Sequence, residues 1–334
     1  VFPIEAKLTQ DDIYYFSKLA ILEYLTSGIT TNFDMYLNPE AIIRASLDMK
    51  YRTVLCGAVN DFCLSVEDVE RCFKEYNQEN SLISYILGFS HEYTNSKEKI
   101  QQVAALSHKY KAPVFTHLSE TEYEVSTCKE KTGLSPAEYL CDLGVYDYGG
   151  GAFHCVHMSE HDLDLFQEKH LNIVTNPASN LKLASGIAPI QAMLQRNINV
   201  CLGTDGAASN NCLDMFREMF LVTGLAKYKN CDASAVDAYK VLNMATINGA
   251  KALNLNCGVL EAGKLADLII LNLHQPNMQP MNNIAKNIVY SGSKSNVKCT
   301  MVNGEILYED GQFHVGFDIA SLYDEIQKRV ERLK

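Results

Sequence analysis

Ser96-Lys-Glu-Lys-Ile-Gln-Gln-Val-Ala-Ala-Leu-Ser-His-Lys-Tyr110, then Lys111-Ala-Pro113 and Val114-Phe-Thr-His-Leu-Ser-Glu120, carries the repeating unit of this chain. The first part is an amphipathic helical pattern. The second is a short apolar run that stops at polar residues. A helix pattern feeding a buried strand is half of a βα repeat. The same alternation extends in both directions. Strand-like runs stand at Ile29–Met35, Thr53–Val59, Ile83–Phe89, Val114–Leu118, Phe153–Met158, Asn172–Thr175 and Val200–Gly203. The helical pattern Asp11–Thr26 follows Thr9 as an N-cap and ends at Gly28 as a C-cap. Such units predict an α/β chain with a distorted TIM (β/α)8-type barrel. Seven strands are one short of closure, so the barrel is expected to be incomplete at its first strand.

After Ala233–Leu253, read as one strong helix, the texture changes. Gly258–Asn272 and Val297–Tyr308 are short strands among Gly, Asn and Pro, and Asp318–Lys334 is a charged, solvated helix pattern. Residues 1–257 are therefore expected to form the barrel, and 258–334 a small β-unit with a C-terminal helix.

A net charge of −11 over 334 residues argues against a nucleic-acid surface, which needs a basic patch. A small-molecule substrate is compatible with it, and so is a homo-oligomer. Eleven cysteines lie mostly in apolar runs without a CxxC pair, which fits a reducing, cytoplasmic setting rather than a disulfide framework. No run approaches the ~20 apolar residues of a membrane span. The chain opens on Val1 in mid-pattern and reads as the interior of a longer protein.

Candidate chemistry collects at the C-terminal ends of the strands, the face where barrels build their sites. The residues are His117, the pair in His154-Cys-Val-His157-Met-Ser-Glu160, and Asp205 in Leu202-Gly-Thr-Asp-Gly-Ala-Ala-Ser-Asn210. Side chains alternate faces along a strand, so His154 and His157 would point opposite ways if both lay in it. His157, nearer the mouth, is given the metal, and His154 is left as a structural residue. Imidazole and carboxylate from separate strands suit a hydrolytic zinc. Glu160 supplies the free carboxylate that a metal-activated water needs for acid/base work. Glu120 reads as the start of a solvated helix.

Several segments in order resemble the 5′-methylthioadenosine/S-adenosylhomocysteine deaminases of the amidohydrolase superfamily. They are Glu5-Ala-Lys-Leu-Thr9, Thr116-His-Leu-Ser-Glu120, His154-Cys-Val-His157, Asn176-Pro-Ala-Ser-Asn-Leu-Lys-Leu-Ala-Ser-Gly186, Thr204-Asp-Gly-Ala-Ala-Ser-Asn210, Gly263-Lys-Leu-Ala-Asp-Leu268 and Met301-Val-Asn-Gly304. The resemblance implies a TIM barrel with a β-sandwich, a single Zn²⁺ (or Fe²⁺), and hydrolytic deamination of an adenine nucleoside. It implies His157 and Asp205 as metal ligands, with Asp205 also catalytic, and Glu160 as the proton shuttle. Glu5, His117 and His91 would bind substrate. Alternatives are an amidohydrolase for another aminated heterocycle, of guanine or triazine type, or an inactive truncated barrel.

Three departures from the family pattern stand out. The family's His-x-His metal pair occurs nowhere in these 334 residues, and is expected upstream of Val1; the residues given would then bind metal weakly and turn over slowly. Thr175 stands where relatives commonly have His. Cys56-Gly57 stands where they commonly have Ser-Arg, which implies a preference for substrates without the carboxylate of S-adenosylhomocysteine.

Overall fold

The computed structural model describes residues 2–61, 64–77 and 82–334. Seven parallel strands run in chain order across one curled sheet: β1 Thr31–Asp34, β2 Arg52–Cys56, β3 Ile83–Gly88, β4 Val114–Leu118, β5 Gly150–His154, β6 Asn172–Thr175 and β7 Asn199–Leu202. The expected half-open barrel of βα units is what forms. Alternation sorts its side chains into two layers. Val54, Cys56, Ile86, Phe115, Phe153, Val174 and Cys201, with Phe33 against them, form an inner cluster drawn from all seven strands. Leu55, Leu87, Val114, Ala152, Ile173 and Val200 face the other way, into the larger core under the helices.

Two boundaries differ from expectation. β5 begins at Gly150 and ends at His154, not Met158. The glycines 149–151 carry no strand signal of their own, yet Gly151 and Ala152 pair with Phe115 and Thr116. The stretch read as one helix, Ala233–Leu253, is two, Ala238–Met244 and Ile247–Ala252. The break lets Asn248 donate to the Val200 carbonyl at 2.7 Å and accept from Asn199. It thereby satisfies backbone at the β7 edge, which a straight helix could not do.

The smaller sheet is antiparallel, in the order β11-β10-β9-β8: β8 Leu268–Leu271, β9 Val297–Val302, β10 Glu305–Glu309 and β11 Gln312–Phe313. Leu22 and Leu25 of the helix Gln10–Thr26 pack with Val302, Leu307, Leu322 and Ile326. The terminal helix, Ile319–Leu333, is therefore not wholly solvated. Its arginines Arg329 and Arg332 reach the fully buried carboxylate of Asp12, which also closes a capping box with Thr9.

Gly57 has a packing reason that its sequence context hides. A Cβ there would lie 2.8 Å from the Gly88 carbonyl oxygen and 2.9 Å from Val69 Cγ1, because β2 and β3 meet closely at this point. The position is not free to carry a specificity arginine. Gly57→Arg is expected to destabilise the fold by about 3 kcal/mol, read as a lowered denaturation midpoint, and not to improve use of a carboxylate-bearing substrate. Arg52 and Arg44, the other cations nearby in sequence, are engaged by Asp267 and Asp11.

Candidate active site

Three strand ends turn sharply through backbone that non-glycine residues rarely adopt: Ser119 at φ +50°, His154 at +68° and Asp205 at +60°. Such strain persists where surrounding contacts over-determine it. The turns after β4 and at the end of β5 bring Glu120 and His154 within 3.8 Å of each other, and the turn after β7 sets Asp205 against Ser179. His117 continues the inward face of β4 two residues after Phe115. Its ring stacks on His91 with centroids 4.5 Å apart and on His154 at 5.5 Å. His117 Nδ1–H donates to the Ser90 carbonyl at 2.9 Å, which leaves Nε2 a free lone pair. Desolvation, with His91 and His154 close by, holds His117 well below its ordinary pKa. It is a neutral imidazole.

Glu120 closes the cluster. Its Oε2 lies 3.8 Å from His154 Nε2 and 4.0 Å from His91 Nε2, and Oε1 accepts from the Ser185 hydroxyl at 3.1 Å. Burial works to raise this carboxyl, but the hydrogen bond from His91, the neighbouring His154 and the Ser185 hydroxyl outweigh it and bring it down to about 2. It is a carboxylate among imidazoles, able to accept a proton.

His154 is 2% exposed, and its Nδ1 meets Asn180 Oδ1 at 2.7 Å. The next residue back, Ser179, donates to Asp205 Oδ2 at 2.5 Å. The helix Pro177–Lys182 thus ties the β5 and β7 arms of the site together. Glu5 lies beside the Tyr36 hydroxyl, just beyond the end of β1, and that carboxylate adds to burial in pushing the Tyr36 pKa up.

His157 and Glu160 stand apart from this cluster. β5 stops at His154, and the left-handed turn at His154 and Cys155 cancels the alternation on which the choice of His157 rested. His154 swings into the site, and Cys155 faces the outer core. His157 Nε2 is engaged by the Ser185 carbonyl at 2.7 Å. Glu160 begins the helix Glu160–Glu168 with its side chain 79% exposed, ion-paired to Arg196 at 2.5 Å. Glu120 and His154 lie in the cluster, and the sequence reading gave neither of them a chemical role. The signal existed: His117-Leu-Ser-Glu120 has the same His-x-x-Glu spacing as His157-Met-Ser-Glu160.

Behind the β7 arm, Glu218 is fully buried, accepting from Ala178 N at 2.9 Å and Asn210 Nδ2 at 2.8 Å. Burial pushes its carboxyl up to about 7. A carboxyl raised in the folded state contributes stability below its unfolded pKa and loses it as pH climbs through the folded value. Raising pH from 5 to 8 should therefore cost the wild type more melting temperature than Glu218→Gln, by several degrees. Parallel pH profiles of Tm would contradict this.

Among the described residues, no three His, Cys, Asp or Glu side chains stand together as a metal cage. The donors present nevertheless fit a divalent ion in kind. His117 is neutral with its second nitrogen anchored on a carbonyl, and Asp205 is a carboxylate oriented by Ser179 and by Gly206 N–H.

Comparison with known proteins agrees with this architecture. Residues 4–307 match the amidohydrolase family. A 5-methylthioadenosine/S-adenosylhomocysteine deaminase from Caldanaerobacter subterraneus is 36% identical, across 100% of this chain and 79% of its own length. A 5′-deoxyadenosine deaminase from Methanothermobacter thermautotrophicus is 38% identical, across 94% and 75%. The crystal structure of a zinc-bound adenosine deaminase from Xanthomonas campestris superposes with a TM-score of 0.94 at 29% identity, covering 99% of this chain and 78% of that one.

Proposed function

The chain belongs to the amidohydrolase family and is a hydrolytic enzyme, and we propose from that premise that it removes the 6-amino group of an adenine nucleoside, with 5′-methylthioadenosine or a 5′-deoxyadenosine as the class of substrate. The observation that carries this reading is the carboxylate Glu120 set among His91, His117 and His154 at one mouth. His117 and Asp205 would hold a divalent ion, zinc by analogy with the zinc-bound neighbour. Such an ion supplies a Lewis acid that makes water nucleophilic near neutral pH.

This chain's own residues do the proton work. Water adds through oxygen to the purine carbon bearing the amino group. Glu120 takes the water's proton at Oε2 and returns it to the ring nitrogen beside that carbon. His154, anchored by Asn180, steers the approaching oxygen through Nε2. The second proton of the added water then passes from the new hydroxyl to the amino group, the C–N bond breaks, ammonia leaves, and the carbon keeps the oxygen as the 6-oxo form. His91 lies against the base, and Glu5 accepts hydrogen bonds from ribose hydroxyls, two at once if both face it.

Incubating the metal-loaded protein with 5′-methylthioadenosine, adenosine and guanine separates the readings. Ammonia release with the ultraviolet change of adenine to hypoxanthine is expected for the first two. Release from guanine alone would overturn the adenine assignment.

A further inference from the structure

Glu120 and His91 each have a buried carboxyl behind them that no step above uses. Glu124, 1% exposed, accepts from Ser119 N–H through Oε1 at 2.5 Å and from Glu120 N–H through Oε2 at 2.8 Å. It stands in the first turn of the helix Glu122–Thr132, whose N-cap Thr121 accepts from Glu124 N–H at 3.2 Å. Both of its oxygens are therefore spent on the backbone of the turn that carries Glu120. The Ser119 carbonyl in turn accepts from Val156 N at 3.0 Å and His157 N at 2.9 Å. The same turn thus props the segment that leaves His154. Glu92, directly after His91 and 6% exposed, has neither carboxyl oxygen on a donor among the described residues. Burial and then the neighbouring Glu124 push it up to about 8, so it sits there neutral.

We propose that Glu124 is a positioning residue: its carboxylate clamps the left-handed turn at Ser119 and so fixes where the Glu120 carboxylate points, with Glu92 packed behind it. The inference rests on Glu120 being the proton carrier.

Three facts support it. Ser119 is not a glycine, so its φ of +50° has to be held by something. Two adjacent N–H groups call for an acceptor with two oxygens. Glutamine would turn an NH₂ toward one of them. Finally, Glu124 touches the backbone of Glu120 and not its carboxylate, so substrate binding does not need Glu124 in contact.

The test is Glu124→Gln in the metal-loaded protein, measured beside Glu120→Gln and with hydrogen exchange at Ser119 and Glu120. Positioning predicts kcat lower by roughly ten- to a hundredfold, KM changed less than about threefold, and faster exchange confined to those two amides. A kcat within about twofold of wild type overturns it, as does a loss carried entirely by KM. Should Glu124→Gln not fold, Glu124→Asp serves, since its shorter arm keeps the charge but cannot span both amides, and the same kcat-against-KM split applies. Rapid, unprotected exchange of both amides in the wild type would also overturn the clamp. If Glu120→Gln retains turnover, the reading of Glu120 fails. If Glu120→Gln is inactive while Glu124→Gln matches wild type, only the clamp fails.

Discussion

Glu120→Gln is expected to lower kcat for adenine-nucleoside deamination by a factor of roughly 10²–10⁴, the usual contribution of a positioned acid/base. The amide has nearly the volume of the carboxylate, so Ser185 can still donate to its oxygen and the fold should stand. What it loses is the acceptor for water's proton. The carboxylate is in its proton-accepting form at neutral pH: the hydrogen bond from His91, the neighbouring His154 and the Ser185 hydroxyl overcome its burial and keep it ionised down to about pH 2. The sign follows. A base with so low a pKa stays competent across the neutral range, so any acid limb in the kcat profile above pH 5 has to come from another group. Metal content of Glu120→Gln should stay within about twofold of wild type, because the carboxylate is not among the donors assigned to the ion. Glu160→Gln is the control. Glu160 is exposed and paired with Arg196, and its loss should leave kcat within about twofold, since exposed ion pairs contribute little. A dead Glu160→Gln with an active Glu120→Gln would reverse the assignment.

Asp267→Ala should produce the largest loss of stability. Arg52 on β2 and Asp267, just before β8, form a two-armed bridge, Nε–Oδ2 at 2.6 Å and Nη2–Oδ1 at 3.1 Å. Their side chains are 5% and 1% exposed. Asp267 Oδ1 also accepts from Asn303 N at 2.7 Å, so one carboxylate joins the barrel sheet to the turn between β9 and β10. Removing it strands a buried guanidinium, which costs about 3–5 kcal/mol, or roughly 4–7 °C in Tm for a chain of this length. The buried charge, and not the bond itself, causes the loss. Arg52→Met with Asp267→Leu should therefore recover part of it. Glu40→Ala, which breaks the exposed pair with Arg71, should cost less than about 1 kcal/mol. A drop for Asp267→Ala no larger than that would show the bridge to be solvated.

Most of the scaffold was legible in the residues themselves. Strand runs such as Val114–Leu118 and Asn172–Thr175, and the helix behind Thr9, are set by apolar spacing and caps, which act within a few residues. The same local rules pointed to one face: most of the candidates, Glu5 excepted, stood at or just after a C-terminal strand end. They could not choose among the side chains there. Whether His154 or His157 turns inward depends on where β5 stops, and that depends on Gly150 and Gly151 pairing with β4 and on the left-handed turn at His154. Whether Glu120 or Glu160 serves depends on Glu124, which turns the first inward, and on Arg196, which holds the second at the surface. Gly57 reads as an absent charge until β3 is seen pressed against it. Periodicity is a property of neighbours in the chain and determined the fold; side-chain direction at a strand end is set by contacts far apart in sequence, and only the tertiary structure decided the site.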